Sequence, residues 1–297
     1  MKKRYLITGV LLASGLAFAI WLYAPPAVPD ELQIPDSEEA IARGEYLVIA
    51  GGCLSCHRGY SNGQSNNTDN ETMSGGLGLE TEFGTFYAPN ITPDPQTGIG
   101  NWQAADFIRA MKHGRTPGGS FYFPAFPYRA YAGLTDEDVL EIAAYLMSLP
   151  PQQNAVPESQ TPFWLSRWAM AGWNMLADMQ QPEREIFVDE ELSRGAYLAR
   201  NLGHCSECHT PRNALGIPDY SREFAGAELG DEVVEAIDAE HLSGWTADSF
   251  ALFLLIGLKP DGEFVGGDMN EVIEDNTSRL SDADRDAMAV FFTRDNR

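Results

Sequence analysis

The sequence predicts an all-α chain built from two copies of one small unit, and three observations predict it. Two stretches recur in the same order: Arg43-Gly44-Glu45-Tyr46-Leu47 runs into Cys53-Leu54-Ser55-Cys56-His57, and Arg194-Gly195-Ala196-Tyr197-Leu198 runs into Cys205-Ser206-Glu207-Cys208-His209. Apolar residues elsewhere repeat at helical spacing, and strand-like alternation is nearly absent. The units occupy residues 40–150 and 187–297, joined by a linker at 151–186, behind an N-terminal segment at 1–29.

Each unit reads as a short helix entering C-x-x-C-H, a long loop, a middle helix, a second loop and a closing helix. Trp102 opens WQAADFIRAMKHGRTPGG and Trp245 opens WTADSFALFLLIGLKPDG, with Gly114 and Gly257 each 12 residues further on. The closing helices follow Leu134 and Leu280. Thr135 and Ser281 suit their N-caps, and acids fill the first turn, where the helix dipole favours them. Val139, Ile142, Ala143 and Leu146 mark the buried face of the first, and Met288, Phe291 and Phe292 that of the second. Residues 59–72, rich in Asn, Ser, Gly and Thr, read as a surface loop. In the linker, Phe163-Trp164-Leu165, Trp168, Met170 and Trp173 form an aromatic helical stretch expected to pack the units together; a surface facing a partner protein is the alternative.

The N-terminus carries Lys2, Lys3 and Arg4, then 19 residues from Tyr5 to Tyr23 without a charge. As a helix this run spans about 28 Å, one hydrocarbon thickness. The basic cluster would stay inside and place the rest on the periplasmic side as an anchored domain. A cleaved signal peptide is the competing reading, since Ala17-Phe18-Ala19 fits a small-x-small site, although Ile20-Trp21-Leu22-Tyr23 continues the apolar run beyond it. Pro25, Pro26 and Pro29 end the helix and begin a tether. The three basic residues offset a net charge of −23, so the remainder carries −26. That sign disfavours nucleic acid and favours basic protein partners, with a salt-adapted surface as the plainer account.

The four cysteines all lie in the two C-x-x-C-H motifs. Two thiols separated by two residues on a turn reach both vinyl groups of a haem and form thioethers, and the adjacent histidine then sits under the iron. A redox C-x-x-C pair needs no following histidine, and a zinc site would need both motifs to reach four ligands. Two covalently attached c-type haems are therefore expected, at Cys53, Cys56 and His57 and at Cys205, Cys208 and His209. Met269, after Gly266-Gly267-Asp268 in the second loop, suits the iron opposite His209, since His/Met ligation raises potential. Counted from the tryptophans, its counterpart in the first unit is Phe126, which cannot ligate. Met111, then His113, then no protein ligand is the order for that haem, with Met73 a further candidate. Trp102, Trp245, Tyr128, Arg129 and Arg212 are placed to donate to haem propionates, or pack at its edge.

These residues make each unit resemble a class I cytochrome c domain. The pair resembles the cytochrome c subunits of membrane-bound bacterial dehydrogenases for alcohols, sugars and aldehydes. The likeness covers residues 40–297 and is carried by Arg43-Gly44, the motif at 53–57, Tyr87-Ala88-Pro89-Asn90-Ile91-Thr92-Pro93-Asp94, Tyr122-x-Pro124-Ala125-x-Pro127-Tyr128, Cys208-His209-Thr210-Pro211-Arg212-Asn213 and Gly266-Gly267-Asp268-Met269. It implies haem at the motifs named, Met269 as axial ligand, and a Pro89 carbonyl accepting the His57 ring N–H. It also implies a non-catalytic electron carrier between a dehydrogenase or respiratory-complex partner and the respiratory chain. The sequence departs from those subunits in carrying two motifs rather than three, in Phe126, and in lacking a second Pro-Asn-Ile-Thr segment. A dihaem peroxidase using an open first haem is the alternative.

Overall fold

A computed structural model describes residues 2–29, 31–61, 64–65, 72–181, 185–230 and 232–296. The loop expected at 59–72 lies mostly outside the described residues. Helix α1 (Lys2–Tyr23) precedes the first unit, which contains α2 (Glu38–Ala50), α3 (Cys53–His57), α4 (Ala104–His113), α5 (Tyr128–Tyr131) and α6 (Asp136–Ser148). The linker forms α7 (Met170–Asp178). The second unit contains α8 (Glu190–Tyr197) with a π-turn at Leu198–Leu202, α9 (Ser206–His209), α10 (Ala247–Ile256), α11 (Asp268–Asp275) and α12 (Asp282–Phe292). Among the described residues, strands are confined to three antiparallel hairpins, β1 (Tyr60–Ser61) with β2 (Gln64–Ser65), β3 (Gly78–Thr81) with β4 (Gly84–Tyr87), and β5 (Ala227–Leu229) with β6 (Glu232–Val234).

The expected caps are present. Thr135 and Ser281 accept from the Asp138 and Asp284 amides, and Gly114 (φ 60°) and Gly257 (φ 72°) end the two middle helices in the left-handed region, where a side chain is strained. Val139, Ile142, Ala143, Leu146, Met288, Phe291 and Phe292 are all buried. They belong to one continuous core that draws on both units, including Leu47, Phe107, Leu198, Leu202, Phe250 and Leu254. The units therefore do not each bury a separate core.

The repeated Arg-Gly-x-Tyr-Leu stretch acquires a physical meaning here. In α2, Gly44 lies so close to α6 that a Cβ would stand 1.9 Å from the Glu141 carbonyl oxygen; in α8, one at Gly195 would stand 2.0 Å from that of Ala287 in α12. Each glycine thus lets an entering helix lie directly on its closing helix. The preceding arginine then reaches a carboxylate on that helix. Arg43 Nε donates to Glu141 at 2.7 Å and Nη2 to Asp138 at 3.2 Å, while Arg194 holds both Asp284 oxygens at 2.8 Å. The tyrosine two residues on crosses to the other unit: Tyr46 Oη donates to Asp284 at 2.5 Å, and Tyr197 Oη donates to Asp138. This reciprocal pairing gives the two units a pseudo-two-fold relation.

The linker behaves in two ways. Met170, Ala171 and Trp173 pack with Phe86, Phe121 and Phe123 in a second, smaller cluster. Phe163, Trp164 and Trp168 instead stay exposed, so the expectation that the whole aromatic stretch packs the units together is corrected. Among the described residues no helix is long and apolar enough to cross a membrane. The anchor reading of residues 1–29 is therefore not carried by the fold.

Gly44→Ala or Gly195→Ala should lose about 1–3 kcal/mol in denaturant titration, the usual range for overpacking, whereas Gly172→Ala, with nothing within 4 Å of its added Cβ, should be neutral or better. Burial of Asp284 alone favours the neutral carboxyl, but the hydrogen bonds from Arg194 and Tyr46 outweigh it and hold the group below its ordinary range. A depressed carboxylate stabilises the fold above its unfolded pKa and loses that contribution as pH falls through the folded one. Asp284→Asn should accordingly flatten the acid limb of stability below about pH 4, read as the denaturation midpoint against pH.

Candidate haem centres

Each cysteine motif is set by a left-handed turn just before it. Gly52 (φ 60°) breaks the chain out of α2 and starts α3 at Cys53, so Cys53, Cys56 and His57 share one helical turn. In the second unit the same place is taken by His204, with φ 41°. A non-glycine residue there costs about 1–2 kcal/mol. Its imidazole offsets this by hydrogen bonding to the Gly51 carbonyl and packing edge-on to Tyr131, with ring centroids 5.7 Å apart.

The histidines are presented for metal. His57 Nδ1 lies 2.8 Å from the Pro89 carbonyl oxygen, and His209 Nδ1 lies 2.6 Å from that of Glu235. A carbonyl only accepts, so Nδ1 carries the proton and Nε2 keeps its lone pair for a ligand. Burial also lowers the pKa of both rings, favouring neutral imidazole. The cysteines form no disulfide. Burial pushes the Cys53 and Cys205 thiols up to about 12, so neither is the thiolate that metal binding or disulfide exchange requires at neutral pH. Neutral thiols spaced to reach two vinyl groups, beside an imidazole with a free nitrogen, fit a covalently held haem.

The two motifs meet across the unit interface. A Cβ on Gly51 would lie 3.5 Å from both Cys53 Sγ and Leu202 Cδ1, and one on Gly203 would lie 3.8 Å from both Cys205 Sγ and the Ala50 carbonyl oxygen. Asn276 Nδ2 donates to the Ala50 carbonyl at 3.1 Å, and Arg58, just after His57, pairs with Asp275 of α11. Tyr131 is buried between the turns, its hydroxyl 3.4 Å from the Gly51 carbonyl oxygen.

The axial candidates fall in different places. Met269 is on the first turn of α11 rather than in an open loop, half-buried, entered through Gly267 (φ 63°), which aims α11 at α3. Phe126 is caged by the rings of Tyr122, Tyr128 and Tyr131 at 5.5–6.4 Å. Met111 and Met73 are buried in the shared core, at 8% and 5% exposure. His113 is exposed at the end of α4, where partial burial and then the Lys112 charge lower its pKa, so the core-facing candidates outrank it.

Three of the residues expected at the propionates have protein partners. Arg212 donates to the Glu207 carboxylate (2.6 Å), the Glu207 carbonyl (2.7 Å) and the Gly216 carbonyl (2.9 Å), clamping the second motif from within. Tyr128 donates to Asn174 at 2.9 Å and Arg129 pairs with Asp178 at 3.0 Å, both in α7. Trp102 packs edge-on to Phe107 at 5.1 Å, and Trp245 edge-on to Phe250 and Phe253 at 5.5 and 5.3 Å, ring contacts that place both indoles against the apolar core. Sequence reasoning missed Glu235 and His204. Glu235 contributes only its carbonyl, which leaves no side-chain signal; His204 was legible as the residue standing where the first unit has Gly52.

Known proteins bear on this arrangement. Over 98% of its length the chain is 40% identical to a diheme cytochrome c-type protein of Cereibacter sphaeroides, across 98% of that protein. The chain belongs to the cytochrome c family. The family profile for cytochrome c matches residues 41–150. This cytochrome c is also 36% identical to the fructose dehydrogenase cytochrome subunit of Gluconobacter japonicus over 85% of its own length, and 35% identical to the gluconate 2-dehydrogenase cytochrome c subunit of Pantoea cypripedii over 86%. It spans 52% and 59% of those two subunits. As a dihaem cytochrome c it carries two c-type haems with iron.

Intact-mass measurement of the mature protein should show two added haems and, after denaturation, no cysteine open to alkylation. Replacing Cys53 and Cys56 by alanine should leave one covalent haem, and neither change should affect the motif at 205–209.

Proposed function

We propose that this cytochrome c relays electrons on the periplasmic face of the inner membrane, held there by the N-terminal helix, from a dehydrogenase-type partner to the respiratory chain. The observation that carries the reading is the contact between the two cysteine turns: Ala50–Gly52 and Leu202–His204 pack against one another, so haems attached at these turns would lie close enough to exchange an electron. The haem supplies one-electron chemistry. The protein supplies spacing, burial and ligands that set the potentials.

Cys53, Cys56 and His57 hold the first haem, and Cys205, Cys208 and His209 the second. The Pro89 and Glu235 carbonyls fix the rings and raise their basicity as ligands. Met269 would ligate the second haem. For the first, Met111 would be the ligand ahead of His113, because it is buried in the shared core while His113 is exposed and the loop position offers only the caged Phe126. The net charge favours a basic docking surface on at least one redox partner. The relatives named as dehydrogenase cytochrome subunits support a dehydrogenase as donor. The peroxidase alternative gains nothing, because the one acid lining the small cavity beside Phe126, Glu207, is already held by Arg212 at 2.6 Å, and no imidazole lines that cavity.

Isolation from solubilised membranes tests this. The cytochrome should co-purify with a dehydrogenase subunit whose substrate reduces both haems within one turnover, and recovery as a lone protein that no dehydrogenase reduces would reject it. In the oxidised protein, Met269→Leu should abolish about half of the methionine–iron charge-transfer absorption and lower one midpoint potential, and Met111→Leu should remove the other half. Carbon monoxide binding to one haem of the unmodified protein would exclude Met111.

A further inference from the structure

The end of α1 is not a free tether. Leu22 packs into the cluster formed by Phe86, Phe121, Phe123, Met170 and Ala171. The Arg115 guanidinium, 3.5 Å from the Phe121 ring centroid, caps the helix by donating to the Leu22 and Ala24 carbonyls at 3.2 and 3.3 Å. Tyr23 packs edge-on to Trp168, with centroids 5.6 Å apart, and its hydroxyl donates to the Trp168 carbonyl. α1 and the linker are thus rigidly joined.

Around this joint large apolar rings face outward. Trp21 is 68% exposed, Phe163 98%, Trp164 58% and Trp168 51%. In a chain with 43 acidic residues, positions 159–177 hold a single charged one, Arg167, which is basic. Its guanidinium is held inward, donating to the Phe121 carbonyl at 3.2 Å and lying over the Phe123 ring. The patch joins the end of α1 through the Tyr23–Trp168 ring contact, and tryptophan and tyrosine beside an apolar helix match the chemistry of the membrane–water interface.

We infer that Phe163, Trp164 and Trp168, with Trp21 and Tyr23, form a second membrane contact that inserts into the lipid headgroup region and fixes the orientation of the two-haem body on the bilayer. The inference rests on the proposed anchoring by α1. It makes the body lie against the membrane instead of swinging on a tether, because Arg115 and Tyr23 set the depth of the linker rings relative to the helix.

The test uses the full-length, haem-loaded protein in nanodiscs of phosphatidylcholine and phosphatidylglycerol. All four native cysteines are consumed by haem, so Phe163→Cys and Val188→Cys each introduce a single thiol at a position 98% exposed in the protein itself. Retention of both haem spectra checks that each variant is folded. With each rate normalised to that of the unfolded chain, a water-soluble maleimide should label position 163 at least about tenfold more slowly than position 188, as a ring site held in the interface is shielded from water. Equal rates in protein that co-elutes with the discs would overturn the second contact and leave the anchor standing. Protection of position 163 only after a solubilised dehydrogenase is added would overturn it in favour of a protein partner. Failure of the protein to enter discs at all would remove the anchor, and this inference with it.

Discussion

Two aspartates hold the molecule in register. Asp138 and Asp284, on the first turns of the two closing helices, each take an arginine from their own unit and a tyrosine from the other. The carboxylates are mostly buried, so their charge is tolerated only while these donors are in place. Because the donors cross, neither unit can rotate against the other without stranding a charge. Burial and the carboxylate acceptor also keep the Tyr197 hydroxyl protonated up to about 12, so it remains a donor throughout the physiological range.

The position of the haems follows from that lock. Gly44 and Gly195 bring the entering helices onto the closing helices, and those helices end at the cysteine turns. Crossing the tyrosines then places the turns back to back, with Tyr131 and His204 between them. One core serves both units, which suits small helical modules that have little apolar surface of their own and would be marginal apart.

The duplication is broken where function needs a difference. The second unit offers Met269 on α11, and the first replaces that methionine with Phe126 inside a ring of tyrosines. The His57 ring is steadied from the Pro89 loop and the His209 ring from β6's exit at Glu235, two unrelated backbone solutions to the same requirement. Two haems in surroundings that differ in this way would have different potentials even with the same ligand types, because burial and hydrogen bonding to the ligands also set potential.

The sequence by itself determined the cofactor, the number of haems, the helix order and the caps, because these depend on local chemistry: thiols and imidazole at fixed spacing, apolar residues at helical period, Thr135, Ser281, Gly114 and Gly257 at helix ends. The repeated Arg-Gly-x-Tyr-Leu was visible as a pattern without its reason. Only the tertiary structure showed that glycine, arginine and tyrosine there serve three separate contacts, one of them to the other unit. It also showed that Arg212 reaches Glu207 and that Tyr128 and Arg129 reach α7, and left Phe163 and Trp164 outside the core. Those outcomes depend on which surfaces lie opposite one another. Side-chain type and spacing do not encode that, because a guanidinium or an indole suits a propionate, a carboxylate or a lipid headgroup equally well until its neighbours are fixed.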